Sequence, residues 1–206
     1  MAQKGSNSRK EQGAQTKKRL YECAERLFRE SDYTDVSVED ITKAAGVCKG
    51  AFYVHFASKD ALIGELIAHN AANTDAQYRA FADSLPPDMT ACDKLLALTV
   101  RIAEVLADTI GRDNICKVYQ LMLAKELDMD AIKNYDREVY VLYKELIAAG
   151  IERGELRSVL PPEELSRYFI TAFRGAGYEW CIRYPELDLK EQATAVIRLL
   201  IEGIKA

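Results

Sequence analysis

The sequence predicts an all-α protein, and three observations carry that prediction. Apolar residues recur at helical spacing through the chain, from Leu20, Cys23, Ala24, Leu27 and Phe28 near its start to Val196, Ile197, Leu200 and Ile204 near its end. No stretch shows the period-two alternation of a strand. Two proline pairs, Pro86-Pro87 and Pro161-Pro162, fall between periodic segments, where they stop one helix or start the next. Of the 206 residues 49% are hydrophobic, enough to bury a substantial core and to set disorder aside.

The elements follow in order. Residues 1–15 are polar and rich in Gly, Ser, Asn and Gln, and are expected to form a flexible basic arm. A first helix is expected from about residue 16 to 30, with Leu20, Cys23, Ala24, Leu27 and Phe28 on one face. Ser37 is placed to cap a second helix, with Asp40 three residues on. Then comes ITKAAGVCKGAFYVHF, residues 41–56, around which the chain is organised. Gly46 follows Thr42-Lys43-Ala44-Ala45, where a helix must turn sharply through a left-handed residue. Val38, Ile41, Ala44 and Ala45 line one side of the helix before it, and Val47, Ala51, Phe52 and Phe56 form a buried strip with the helix after it. Lys49, Tyr53 and His55 then face outward. Two short helices joined by a tight glycine turn make a helix-turn-helix, whose second helix fits the major groove of DNA.

A longer fourth helix starts at Ser58 and runs as a mechanical link until Pro86-Pro87. Further helices are expected at about residues 90–108, 113–127, 130–153, 163–184 and 189–204, about nine in all.

Charge is distributed unevenly. The chain carries a net charge of -4, yet its first 20 residues hold six Lys or Arg (Lys4, Arg9, Lys10, Lys17, Lys18, Arg19) against Glu11 alone. A basic tip on an acidic body is the footprint of a protein that meets phosphate with one end only. No run of about eighteen apolar residues and no apolar signal core is present, so neither a membrane partner nor export is expected, and the cytoplasm is the expected location. The five cysteines (Cys23, Cys48, Cys92, Cys116, Cys181) include no CxxC pair, and the two histidines are His55 and His69, so no metal or cofactor is expected.

From about residue 16 to 62 the chain resembles the DNA-binding domain of the TetR family of transcriptional regulators. The resemblance rests on the helix ending in Leu27-Phe28, on Tyr33, on Ser37-Val38-Glu39-Asp40-Ile41, on AAGVCKGAFYVHF, and on Ser58-Lys59-Asp60-Ala61-Leu62. It implies an N-terminal three-helix helix-turn-helix domain (residues 16–60) and a C-terminal helical domain for ligand binding and dimerisation (residues 61–206). It departs from the family at Asp32, where glycine is usual, at Cys48, usually Ser or Thr, and at Val54, often aromatic or histidine.

The resemblance places Lys49, Gly50, Ala51, Tyr53, Val54 and His55 on or beside the recognition helix. Lys49 is expected to reach a guanine edge or a phosphate, Tyr53 and His55 a phosphate, and Val54 a thymine methyl, while Gly50 and Ala51 permit close approach. Ser37 and Lys59, at helix N-termini, are further phosphate contacts. Cys48 joins this set as a thiol beside Lys49 at a helix start, a setting that favours oxidation and makes a redox-sensitive repressor an alternative. The plainer alternative is a cysteine filling a serine-like position.

Similarity to the family also implies a small-molecule effector held in the helical body. The expected walls are Tyr78, Phe81, Tyr119, Met122, Tyr135, Tyr143, Phe173 and Trp180, amphipathic aromatics suited to an apolar or aromatic ligand. The competing reading for each is ordinary core. A homodimer is implied through the last two long helices, with Ala172, Gly175, Ala176, Val196 and Leu200 as interface candidates. The alternative is that these glycines pack inside the monomer. Together these readings describe a homodimeric repressor that binds a double-stranded operator and is released by its effector. An enzyme is not expected, because no nucleotide loop, metal set or nucleophile constellation occurs. A helical small-molecule-binding or protein-interaction module without DNA binding is the remaining alternative, against which the basic arm and the Lys49, Tyr53, His55 set weigh.

Overall fold

The computed structural model describes residues 3–31, 35–125 and 129–206, with the side chains of residues 3–9 and Arg29 left out; Asp32 and Tyr33 lie outside the described residues. The described chain is helical throughout, in two compact units. One comprises the described residues up to His69, the other Asn70–Lys125 with Met129–Ala206, so the division falls inside a helix and nine residues beyond residue 60.

The first unit contains α1 (Gln3–Glu30), α2 (Val38–Ala45), α3 (Lys49–His55) and the first turns of α4 (Lys59–Ser84). The periodic residues do what their spacing requires. Leu20 and Ala24 of α1, Ile41 and Ala45 of α2, Phe52 of α3, Phe56 and Leu62 and Leu66 of α4 close one apolar core, with Val36 beneath them. Burying each phenylalanine stabilises the unit by about 1.5–3 kcal/mol. The flexible arm expected over residues 1–15 is corrected, since α1 begins at Gln3. No proline interrupts the segment, and Thr16, where the apolar repeat begins, is an interior residue whose hydroxyl donates to the Gln12 carbonyl at 2.9 Å.

The second unit holds the rest of α4, then α5 (Ala91–Glu104), a π-helical stretch (Val105–Ile110), α6 (Arg112–Ala124), α7 (Asp130–Lys133), α8 (Glu138–Glu152), α9 (Pro162–Arg183) and α10 (Leu189–Ile204). α9 packs on α8 and α10, and α5 on α8 and α10, around Leu95, Leu98, Ile102, Tyr143, Ile147, Phe169, Phe173, Trp180, Ile197 and Ile201. The single helix expected over residues 130–153 is divided. The Asn134 side chain accepts from the Asp136 amide at 3.0 Å, an Asx turn that ends α7 before α8 begins.

Polar groups inside this unit are matched. The Tyr143 hydroxyl bonds that of Thr99 at 2.7 Å, and Thr99 donates in turn to the Leu95 carbonyl. Asp75 of α4 receives a bidentate pair of bonds from Arg137, at 2.6 and 3.0 Å. Arg79, one turn further on, bonds Glu138 and Glu145 of α8. Among the described residues no buried side-chain nitrogen or oxygen lacks a partner.

Candidate nucleic-acid interface

Local chemistry builds the interface before any ligand is considered. Ser37 caps α2 in a reciprocal box: its hydroxyl accepts from the Asp40 amide at 3.1 Å, and the Asp40 carboxylate accepts from the Ser37 amide at 2.9 Å. Those bonds from Ser37 hold the Asp40 carboxyl below the usual aspartate range. A lowered folded-state value means that the cap contributes at neutral pH and is lost only as pH falls through that value. Gly46 ends α2 at φ 65° and ψ 37°, and the amides of Gly46 and Val47 return to the carbonyls of Lys43 and Thr42. A side chain there meets no neighbour but is strained by the left-handed backbone itself.

That turn sets the phase of α3. Phe52 is fully buried and Phe56 nearly so, while Tyr53 is 51% and Val54 78% exposed. The outward surface of α3 therefore carries Lys49, Gly50, Tyr53 and Val54, with Cys48 exposed at the N-cap and Ala51 half-buried. Cys48 makes no side-chain cap bond. Ser37 is half-buried at its own helix start. His55 is also half-buried: its ring sits 6.4 Å from that of Phe56, and its Cε1 lies 3.8 Å from where a side chain on Gly13 would begin. Packing is thus part of its role. Lys59 donates to the Val36 carbonyl at 3.0 Å, tying the start of α4 to the segment before α2.

Two features escaped sequence reasoning. Lys49 does not stand free, because its ammonium is ion-paired with the Glu39 carboxylate of α2. Its hydrogen bond to Glu39 pushes the Lys49 ammonium up and the Glu39 carboxyl down, so the pair stays charged at neutral pH. DNA must compete with Glu39 for the one basic side chain of α3's first turn. Glu39→Gln is therefore expected to tighten DNA binding roughly two- to five-fold at low salt, the range of an exposed pair. Unchanged or weaker binding in a fluorescence anisotropy titration refutes that competition. The second feature lies in α1, where Lys17 pairs with Glu65 at 2.8 Å and covers the Phe56 ring at 5.2 Å, while the Tyr21 hydroxyl donates to the same carboxylate. Lys18 faces Glu22 one turn on. Two of the six basic residues counted towards the N-terminal tip are thus engaged within the chain. No local signal marks either pairing, since the partners are 10 and 48 positions apart.

The body places the other candidates differently. Tyr78, Tyr143, Phe173 and Trp180 are buried as core, and Phe81 packs partly against it. Met122 is half-buried. The Tyr119 hydroxyl donates to the Arg174 carbonyl at 3.1 Å. Tyr135 lines an open surface groove of about 480 Å³ with Pro161, Glu163, Glu164, Arg167, Tyr168 and Thr171, and the Arg167 guanidinium lies 4.3 Å from its ring centre. Of the interface candidates, Ala176 is corrected: it is 4% exposed, already covered by its own chain. Gly175 is open, Ala172, Val196 and Leu200 are half-buried, and a Cβ on Gly177 would stand 2.8 Å from the Tyr119 hydroxyl. Gly177 therefore serves packing within the monomer. The exposed apolar residues of these helices are Tyr168, Tyr178 and Ile182 of α9 and Leu199 of α10. Among the described residues no cluster of His, Cys, Asp and Glu is arranged to hold a metal, and no helix is long and apolar enough to cross a membrane.

A short helix locked by two buried phenylalanines, presenting Lys49, Tyr53 and Val54 beside a glycine turn, defines a helix-turn-helix DNA-binding transcriptional regulator. Residues 20–66 match the family model described as bacterial regulatory proteins, tetR family. The chain belongs to the TetR family of transcriptional regulators. It is similar to the transcriptional repressor DhaR of Mycobacterium sp. (strain GP1), 26% identical over 183 residues that cover 88% of this chain and 90% of that protein. The transcriptional regulator AcrR of Shigella flexneri is 25% identical over 203 residues, covering 94% and 91%. Its fold is also that of the regulator FadR from Bacillus subtilis, solved in complex with stearoyl-CoA, with a TM-score of 0.70 at 21% identity over 90% of this chain and 98% of that one.

Proposed function

We propose that this regulator is a homodimeric repressor, acting in the cytoplasm, that occupies a near-palindromic operator and leaves it when a small molecule binds its helical body. The observation that carries the reading is the surface of α3, where Tyr53 and Val54 are exposed while Phe52 and Phe56 hold the helix from behind. Lys49, Tyr53 and Val54 supply the base-edge and phosphate contacts, Gly50 and Cys48 leave room for close approach, and Ser37, Ala51, His55 and Lys59 border the contact.

Dimerisation is supported by exposed apolar side chains on the last two helices. Tyr168, Gly175, Tyr178 and Ile182 recur at spacings of seven, three and four along α9, and Leu199 is 74% exposed on α10. A two-fold pairing through this face gives two copies of α3, as a palindromic operator requires, with half-sites about 34 Å apart or a multiple of it. An apolar or aromatic effector is supported by the aromatic wealth of the body and by the acyl-CoA bound in the related FadR fold. To move operator occupancy from 99% to 1%, the effector must favour the released arrangement by about 5.5 kcal/mol.

The test is a mobility shift on the DNA flanking the protein's own gene. Retardation of one specific fragment, weakening steeply as salt rises, supports the reading. Absence of any sequence-specific complex at 50 mM salt defeats it.

A further inference from the structure

A pair of thiols in the second unit has no part in DNA binding. Arg112, Cys116 and Tyr119 lie on one face of α6, four and three residues apart, and that face runs along α9. At one end the Arg112 guanidinium donates two bonds to the Cys181 carbonyl, at 3.2 and 2.7 Å. At the other the Tyr119 hydroxyl bonds the Arg174 carbonyl and closes on Gly177. Cys116 sits between these clasps, with its sulfur in hydrogen-bond contact with the Cys181 thiol. Cys116 is partly accessible and Cys181 is buried.

We infer that Cys116 and Cys181 form an oxidisable dithiol, which a peroxide closes to a disulfide stapling α6 to α9. The partly accessible Cys116 is the attacking group. Its thiolate attacks one peroxide oxygen, the O–O bond breaks, and the departing hydroxide takes up a proton as water, leaving Cys116 as the sulfenic acid. The Cys181 sulfur then attacks the Cys116 sulfur, the S–O bond breaks, and the hydroxyl leaves as a second water with the Cys181 proton. Two thiols lose two electrons and two protons, and one peroxide becomes two waters. Burial, then the contact with Cys116, pushes the Cys181 thiol up to about 12, so Cys181 remains a protonated resolving group until the sulfenic acid forms beside it. The nearby Arg112 cation acts in the opposite sense and favours the thiolate.

The bond closes a loop of about 65 residues and constrains the unfolded chain accordingly. The experiment treats the full chain with hydrogen peroxide at near-stoichiometric amounts, maps non-reduced peptides by mass spectrometry, and follows thermal unfolding. The expected result is a Cys116 peptide joined to a Cys181 peptide, lighter by two hydrogens than their sum. The midpoint rises by on the order of 10 °C, a reducing thiol reverses both changes, and neither occurs in Cys116→Ser. The inference is overturned if Cys116 proceeds to the sulfinic acid while Cys181 remains open to alkylation after unfolding, or if Cys181 is found joined to another cysteine. The mass readout needs no operator, so its failure is distinct from a failure of the DNA-binding reading.

Discussion

Replacing Lys49 and Tyr53 together by alanine lowers operator affinity by about 100-fold or more, the loss of one base-edge contact and one phosphate contact from the same short helix. Both side chains leave an exposed surface, so the substitution removes no core contact; Phe52, which does hold α3, is untouched. Thermal unfolding and the oligomer seen by sedimentation should therefore match the parent protein. The two losses differ in kind. Tyr53→Ala weakens binding to specific and non-specific DNA alike if its hydroxyl meets a phosphate. Lys49→Ala relaxes discrimination at one operator position if its ammonium reaches a guanine, and reduces the salt slope if it meets phosphate instead. Full affinity in the double variant sinks the assignment of α3 as the recognition helix.

Arg137→Ala is expected to destabilise the protein by about 3–5 kcal/mol. Its guanidinium and the Asp75 carboxylate are 16% and 10% exposed and bonded at two points, so removing the cation strands a buried carboxylate. Urea denaturation followed by circular dichroism measures the loss. The companion variant Arg137→Met with Asp75→Asn removes both charges and should recover most of it, because the cost lies in the uncompensated charge more than in the lost pair. A single-variant loss below about 1 kcal/mol contradicts this account. The pair matters for function because Asp75 and Arg79 both lie on α4, the helix within which the two units divide, and both are held to the body around α8. The doubly substituted protein separates the stability of the body from its influence on operator release.

How much of this was legible in the residues can be judged element by element. The α2, Gly46, α3 unit was readable because its determinants are local: a serine and an aspartate at capping distance, a glycine after the last helical residue, and phenylalanines four apart that can share only one face. The phase of α3 followed, since burying Phe52 and Phe56 turns Tyr53 outward. Long-range pairings were not readable. Lys49 with Glu39, Lys17 with Glu65 and Arg137 with Asp75 involve common surface residue types whose identity carries no address. The aromatics of the body were equally ambiguous, because helical spacing marks a buried face without saying whether that face meets other side chains or a ligand. In the structure Tyr143 spends its hydroxyl on Thr99 and lies in the core, while Tyr135, on the loop after α7, opens to a groove.

The sequence by itself determined the class: an all-α chain with a DNA-reading tip, because helix periodicity, caps and the glycine turn act within a few residues of one another. Only the tertiary structure decided which functional side chains are available. It gave Lys49 a competitor, turned Gly177 and Ala176 into the monomer's own packing, extended α1 through the presumed arm, and set Cys116 against Cys181. Each of these depends on distances between residues far apart in the chain, and those are fixed by how whole helices pack rather than by any local pattern.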